Sequence, residues 1–206
     1  DYDVEIYNND GSTASNCING ARCVAKFIED HSLSVSKQLK VNTIGGIWRL
    51  ESMSEENYSA TFLLSDVIKP ISISLEEINL NLDCVSLGNP HGIAFQDTNP
   101  EFDLLKIGKD LQKNSAFPDG VNLGLAHRVS SNEIDLRVYE RGAGETLACG
   151  SGACAAAVVG VIKKEMIAPV KVNFQLGSLL VDYNKENNMI SAIGSATLVE
   201  EIVIEI

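Results

Sequence analysis

Two short segments of the chain are near copies of each other, and each begins with a cysteine. Residues 17–21 read CINGA and residues 149–153 read CGSGA, and each leads into a run with helical spacing. A cysteine at a helix N-terminus lies beside unpaired backbone N–H groups, which favour negative charge, so we expect a lowered thiol pKa. Two such thiols on opposite faces of one carbon atom could remove a proton from one side and deliver another. This chemistry inverts a configuration without a metal or pyridoxal cofactor.

The N–H groups at a helix N-terminus also bind carboxylates, and glycine lets a ligand approach the backbone closely. Gly20, Gly150 and Gly152 lie within the two segments. We therefore predict that the two helix N-termini hold the α-carboxylate of an amino acid, with one sulfur atom on each face of its α-carbon. The alternative is a pair of buried structural cysteines. The glycine and polar neighbours are poor core material, which favours the catalytic interpretation.

The remaining cysteines, Cys23, Cys84 and Cys154, lie in apolar runs and are predicted to be structural. A zinc site is a further alternative, but the chain has no Cys-x-x-Cys pair and only 3 histidines. The total of 5 cysteines is odd, which excludes a fully paired disulfide framework and fits a reducing cytoplasm. We therefore predict a cytoplasmic protein without a metal site.

Two further segments carry side chains that could do chemistry. His91 follows Gly-Asn-Pro in a turn, where it is either a solvated residue or a group that sets the protonation of the thiols. Glu140 and Arg141 precede the second cysteine segment, and the arginine suits a bidentate grip on a carboxylate or a solvated ion pair. The glycines of residues 141–145 lack the phosphate-loop pattern and the dinucleotide-binding spacing, which excludes a nucleotide site.

The elements that must position these residues follow from the hydrophobic pattern. The pattern predicts one helix after Cys17, a helix over residues 100–112, a helix over residues 153–163 and a flexible loop over residues 141–146. It predicts strands over residues 4–7, 40–43, 47–50, 60–64, 80–85, 93–95, 121–125, 134–139, 170–174, 178–183 and 190–206. We predict an α+β fold of two β-rich lobes, each wrapped on a helix that begins at a cysteine, divided as residues 1–64 and 65–195.

Composition narrows the class of protein. The chain has 206 residues, a net charge of −12 and 45% hydrophobic residues, and its mean hydropathy of +0.04 is typical of a soluble globular protein. The negative charge argues against nucleic acid and anionic membranes as partners, and no apolar run approaches the roughly 20 residues of a membrane span. The first residues show neither a signal peptide nor an initiating methionine, and we expect a fragment or a processed form.

Three stretches resemble the signature segments of the diaminopimelate epimerase family: residues 8–23, residues 88–91 (GNPH) and residues 138–155 (VYERGAGETLACGSGACA). The resemblance covers nearly the whole chain. It implies a cofactor-independent interconversion of LL- and meso-2,6-diaminopimelate, a small-molecule substrate on the bacterial route to lysine and peptidoglycan. It also implies two pseudo-symmetric lobes, of which the first lacks its N-terminal strands and is completed by residues 196–206.

The resemblance assigns roles to single positions. Cys17 and Cys149 correspond to the two acid/base groups, and His91 and Glu140 to the residues that tune the thiols. The side chains that hold the distal end of the substrate correspond to Asn8, Asn89, Asn122 and Arg141, with Glu140 also in contact with the substrate. The backbone cradle for the reacting carboxylate corresponds to Ile18, Asn19, Gly150 and Ser151.

Three departures from the family pattern bear on activity. Ile18 stands where family members have glycine, and it would be strained if that glycine adopts a positive φ. The family has a further N-terminal segment with an asparagine and a glutamine that contact substrate. Glu200 replaces an aromatic residue associated with dimer packing, which weakens the expectation of a homodimer.

Two other functions stay open at this point. The first is a racemase of another amino acid, such as proline or histidine. The asparagines and Arg141 argue against it, because they would serve a second charged end of the substrate. The second is a truncated, non-catalytic module that only binds an amino acid, and both cysteines and His91 argue against it.

Overall fold

Three helices and thirteen strands follow one another in the computed structural model, which describes residues 2–8, 11–54, 56–75, 78–96 and 103–202. The helices are α1 (Ile18–Asp30), α2 (Leu104–Leu111) and α3 (Gly150–Ile162). The strands are β1 (Tyr2–Asp3), β2 (Gln38–Thr43), β3 (Gly46–Ser54), β4 (Asn57–Leu63), β5 (Asp66–Ser74), β6 (Asn79–Ser86), β7 (Pro90–Gln96), β8 (Asn122–Ser130), β9 (Glu133–Glu140), β10 (Gly144–Thr146), β11 (Val170–Phe174), β12 (Gly177–Asn184) and β13 (Met189–Ser195).

The strands join edge to edge in the order β1-β2-β3-β4-β13-β12-β11-β9-β8-β7-β6-β5, and β10 pairs with β9. Most neighbours are antiparallel, whereas β1 with β2, β7 with β8, and β9 with β11 are parallel. The pairing of β13 with β4 joins the last strand of the chain's second half to the first half. The α+β class predicted from the sequence is confirmed.

Helix α1 is amphipathic. Its inward face consists of Ile18, Ala21, Arg22, Ala25 and Ile28, a spacing of three and four residues that places them on one side. This side packs against β3, β4 and β13. The helix ends at Asp30 with His31 as its C-cap, after which Ser32 takes a positive φ of 51°.

Helix α3 is enclosed by the sheet. It is rich in alanine, valine and glycine, and 11 of its 13 residues are buried, so strands can approach it from several sides. It contacts β6, β7, β8, β9, β11, β12 and β13, and its buried side chains belong to the same apolar cluster as those of α1. Among the described residues, neither α3 nor any other helix is long and apolar enough to cross a membrane.

Some elements differ from their predicted bounds in the first half of the chain. The strand predicted over residues 4–7 is wrong: the ladder with β2 covers Tyr2 and Asp3, after which only Tyr7 bridges to Thr13. Strand β5 was not predicted, because Pro70 interrupts its apolar alternation. The strand lies at the end of the sheet, where a missing N–H is tolerated.

Other differences lie in the second half. Residues 144–146, predicted to be a flexible loop, pair with β9 as β10. The predicted helix over residues 100–112 is shorter, since α2 begins at Leu104 with Asp103 as its N-cap; residues 97–102 lie outside the described residues. The last predicted strand ends at Ser195, and residues 196–202 form no strand. Residues 203–206 lie outside the described residues.

Candidate active site

The two cysteine segments form the same local structure. Cys17 caps α1 and Cys149 caps α3, both in extended backbone conformation with φ of −149° and −132°. Each sulfur accepts a hydrogen bond from the N–H three residues later, that of Gly20 or Gly152, at 3.3 Å in both cases. These contacts stabilise the helix ends as a polar N-cap side chain does. They also fix both sulfur atoms at helix N-termini.

The caps leave a matched pair of backbone donors at each helix. The carbonyl groups of Cys17 and Cys149 accept from Ala21 and Ala153, the first ordinary helical bonds. The third N–H of each helix is bound to sulfur. At these two helix starts, the first two N–H groups of each helix have no acceptor among the described residues: those of Ile18, Asn19, Gly150 and Ser151. These are the donors predicted to hold a carboxylate.

One cavity collects nearly all predicted site residues. It has a volume of about 750 Å³, and both cysteines line it. Nine further predicted residues, all of the binding set, also line it: Asn8, Ile18, Asn19, Asn89, Asn122, Glu140, Arg141, Gly150 and Ser151. Of these, Glu140 is predicted in both roles. The structure therefore brings together residues from both ends of the sequence, and leaves His91 outside the lining.

The N-termini of α1 and α3 abut through Ile18 and Gly150. Ile18 lies within the helix with no positive φ, so the strain considered for a residue in place of glycine is absent. A Cβ atom on Gly150 would lie 2.9 Å from Cβ of Ile18 and 2.7 Å from Oδ1 of Asn19. The glycine at position 150 thus provides the space that the isoleucine side chain occupies.

We expect Gly150→Ala to lower the free energy of unfolding by about 1–3 kcal/mol, the usual cost of forcing extra volume into a packed contact. Urea denaturation monitored by circular dichroism measures it. Gly177→Ala is the matched control, because a Cβ atom at Gly177 meets nothing within 4 Å. Equal stability of the two variants would show that the helix ends can separate without cost.

Burial controls the protonation of Cys149, which is only 5% exposed. Burial raises the pKa of Cys149 to about 12, and the nearby carboxylate of Glu140 acts in the same direction. Hydrogen bonds from the Ser151 hydroxyl and the Gly152 N–H act in the opposite direction. The prediction of a lowered pKa at this helix N-terminus is wrong for Cys149, because desolvation exceeds the effect of the backbone dipoles. Cys149 is a neutral thiol at neutral pH.

Glu140 and Arg141 are placed by the hairpin of β9 and β10. Oε1 of Glu140 accepts a hydrogen bond from the hydroxyl of Thr146 at 2.6 Å. The guanidinium of Arg141 donates to the carbonyl of Asp119 at 2.8 Å, which directs the side chain along the cavity edge. Both residues line the cavity with charged groups of opposite sign.

Asn122 is a buried side chain, 4% exposed, that links neighbouring strands by hydrogen bonds. Its Oδ1 accepts from the backbone N–H of Arg141 at 2.9 Å, and its Nδ2 donates to the carbonyl of Pro90 at 3.2 Å. One amide side chain therefore joins the ends of three strands, β7, β8 and β9, where they meet the cavity. This arrangement explains the polar residue within an apolar strand sequence.

His91 lies behind the cavity wall and is 1% exposed. Its Nε2 is 3.1 Å from Oδ1 of Asn89, and it donates because an amide oxygen only accepts. Burial lowers the pKa of His91 to about 3, and the charge of Arg141 acts in the same direction, so the ring is neutral at pH 7. Within the described residues, no hydrogen bond joins His91 to a cysteine sulfur. Its role in tuning the thiols stays a prediction.

Sequence reasoning missed three residues that support the site. Asn16 donates to the carbonyl of Leu87 and accepts from Trp48, both at 3.0 Å, and so anchors the residue before Cys17 to both halves of the chain. Thr146 orients Glu140. Arg22 lies buried beneath Asn19. Only Arg22 had a signal in the sequence: it falls on the inward face of an amphipathic helix, where a charge is unusual.

No group of three or more His, Cys, Asp or Glu side chains within the described ranges could hold a metal ion. The five cysteines all have free thiols. The donors around the cavity are therefore sulfur, amide, carboxylate, guanidinium and backbone N–H groups, a set suited to an amino acid with its carboxylates and amines.

Known proteins resemble this chain in both sequence and fold. Residues 84–199, more than half of the chain, match the diaminopimelate epimerase family. Diaminopimelate epimerase of Nitrosospira multiformis is 35% identical over 218 residues, which cover 100% of this chain and 79% of that protein. The enzyme of the same name from Teredinibacter turnerae is 34% identical over 97% of this chain and 76% of its own length.

A likeness to a solved structure concerns the fold alone. The crystal structure of a phenazine biosynthesis protein of the PhzF family from Enterococcus faecalis superposes with a TM-score of 0.68. It is 14% identical and covers 96% of this chain and 76% of that chain. The sequence matches carry the stronger conclusion, because they extend over the whole chain at above 30% identity. The chain belongs to the diaminopimelate epimerase family and is an isomerase.

Proposed function

We propose that the protein interconverts LL- and meso-2,6-diaminopimelate by proton transfer between two cysteines, in the synthesis of lysine and peptidoglycan precursors. One observation carries the proposal: Cys17 and Cys149 cap two helices whose N-termini abut, and both line the same cavity. The names of the relatives support the choice of substrate. The five free thiols support a cytoplasmic location.

The reaction needs one base and one acid on opposite faces of the α-carbon. Cys149 is the acid when LL-diaminopimelate is bound, because its raised pKa keeps the sulfur protonated. Cys17, as thiolate, takes the α-proton, and the electron pair of the broken C–H bond moves onto the α-carbon and its carboxylate. Cys149 then delivers its proton to the other face. One proton leaves and one arrives, so the sulfurs exchange roles and the reverse reaction begins from Cys149.

Negative charge that develops on the α-carboxylate requires stabilisation. The four unpaired N–H groups at the N-termini of α1 and α3 can donate hydrogen bonds to this carboxylate from two helices. The helices hold these groups in place before substrate binds. At the opposite end of the substrate, Asn89, Asn122 and Arg141 provide neutral and cationic groups for the distal carboxylate and amine. Among the described residues that line the cavity, Glu140 provides the carboxylate for an ammonium group.

The test is solvent exchange with the full natural protein. Incubation of LL-diaminopimelate in deuterated water should give meso product with deuterium at the inverted carbon, measured by mass spectrometry after chiral separation. L-Proline and L-histidine serve as competing substrates, and we expect neither to exchange at a comparable rate. Faster racemisation of either would replace the proposed substrate, and substrate binding without any exchange would replace the catalytic function with a binding function.

A further inference from the structure

Arg22 is a cation inside the fold, with 7% of its surface exposed. Its NH2 group donates to Oδ1 of Asn19 at 3.0 Å. Its other contacts are to the backbone carbonyls of Ile18 at 3.4 Å and Ser195 at 3.5 Å. All three acceptors are neutral, and Arg22 forms no ion pair with a carboxylate among the residues that the structure describes. Buried charges are normally paired, because desolvation penalises a lone ion.

The ionisable groups that act on Arg22 are all sulfur atoms. Burial lowers the pKa of Arg22, and Cys154 from α3 together with Cys23 and Cys17 from α1 act in the opposite direction. An arginine nevertheless stays charged in proteins. Burial raises the pKa of both Cys154 and Cys149, so these two are neutral. Cys17, Cys23 and the carboxylate of a bound substrate are therefore the groups left to carry a balancing negative charge. Of the two thiols, Cys17 lines the cavity and caps the helix turn that Arg22 contacts, whereas Cys23 is exposed.

Arg22 also decides the orientation of the Asn19 side chain. A guanidinium group only donates, so the amide atom that faces it must be the oxygen. The amide nitrogen of Asn19 is then the end that is left for a ligand, and Asn19 lines the cavity two residues from Cys17. Asn19 is consequently held as a hydrogen-bond donor, the type of group that a carboxylate needs.

We propose that Arg22 is a positioning residue of the active site, which orients the amide of Asn19 and provides the buried positive charge that stabilises an anion at the Cys17 end of the cavity. Arg22 does not line the cavity itself. It acts on the substrate through Asn19 and on Cys17 through its charge. The proposal rests on the proposed function for its substrate, whereas the effect on Cys17 can be measured without substrate.

Three variants separate the two effects. Arg22→Gln keeps an amide that can donate to Asn19 but removes the charge. Arg22→Lys keeps the charge but removes the planar group that reaches several acceptors. Arg22→Met removes both. Lys26→Met is the matched control, because it removes a positive charge from the outer side of the same helix, where Lys26 pairs with Asp30.

The first measurement is the alkylation rate of Cys17 by iodoacetamide at pH 7, followed by peptide mass spectrometry without substrate and normalised to added N-acetylcysteine. A buried charge close to a thiol changes its thiolate fraction by about tenfold or more. We expect Arg22→Gln and Arg22→Met to slow alkylation about tenfold, and Arg22→Lys and Lys26→Met to leave it within about twofold.

The second measurement is KM for LL-diaminopimelate, which we expect to rise about tenfold in Arg22→Lys and Arg22→Met but little in Arg22→Gln.

Several outcomes would overturn the proposal. Folded Arg22→Gln protein with the alkylation rate of the natural protein would show that the charge has no effect on Cys17. Equal losses in Arg22→Gln and Arg22→Lys, in both measurements, would indicate a purely structural role. If Arg22→Met does not fold, the two polar variants decide alone. If the natural protein does not turn over diaminopimelate, the substrate proposal fails, and the alkylation rates still test the charge of Arg22.

Discussion

Replacement of either Cys17 or Cys149 by alanine is expected to lower kcat/KM for LL-diaminopimelate by about 10³- to 10⁴-fold. A positioned acid or base contributes up to about 10⁴-fold to a proton transfer, and each variant removes one of the two groups. The groups next to the Cys149 sulfur are the Gly152 N–H, the Ser151 hydroxyl and the Glu140 carboxylate, and none of these is a thiol positioned at the helix cap. The rate at which meso-diaminopimelate forms, measured at several concentrations of LL-diaminopimelate, gives kcat/KM for each variant.

Two controls separate chemistry from packing. Cys149→Ser keeps a small polar N-cap that can still accept from Gly152, and we expect it to be stable but as inactive as the alanine variant, because a serine hydroxyl is a far weaker acid. Cys23→Ala changes an exposed cysteine outside the cavity and should keep full activity. Normal turnover by Cys17→Ala or Cys149→Ala would rule out the two-thiol mechanism.

Acid is expected to destabilise the protein strongly through His91. The pKa of His91 is about 3 in the folded protein and 6.5 in a typical unfolded chain. Between these values the unfolded chain binds a proton that the folded protein excludes. The stability that the neutral ring provides is therefore present above pH 6.5 and is lost as the pH falls toward 3. The slope for one proton is about 1.4 kcal/mol per pH unit.

The comparison with His91→Gln isolates this effect. Glutamine can donate to Oδ1 of Asn89 but does not titrate, so the variant lacks the His91 part of the acid sensitivity. Urea unfolding of both proteins at pH 7, 6, 5 and 4 should give a difference in free energy that narrows steadily below pH 6.5. Parallel curves for the two proteins would show that folding does not lower the pKa of His91.

The positions of the two cysteines could be predicted from the sequence because they depend on local chemistry. A cysteine followed two residues later by a polar residue and glycine forms the same capped helix start at both sites, whatever surrounds it. Strand β9, which precedes the Cys149 segment, could be predicted because its apolar and polar residues alternate. That Cys17 and Cys149 share one cavity depends on the fold, and this could be predicted only through the resemblance to a known family.

Properties that depend on distant residues could not be predicted. The raised pKa of Cys149 arises from enclosure by the sheet and from Glu140, which approaches only through the hairpin of β9 and β10. The compatibility of Ile18 with the site depends on the absence of a side chain at Gly150, which is on another helix. Strand β5 was hidden by Pro70, whose tolerance at an edge depends on the order of strands.

The pairing of β4 with β13 has a consequence for synthesis of the protein in the cell. Strand β4 leaves the ribosome long before its neighbour β13, so one of its edges must wait for a partner while the intervening chain is translated. An open edge of this kind invites pairing with other nascent chains. Ala60 and Phe62 are buried in the complete sheet, so we expect this segment to benefit from a molecular chaperone until β13 has been translated.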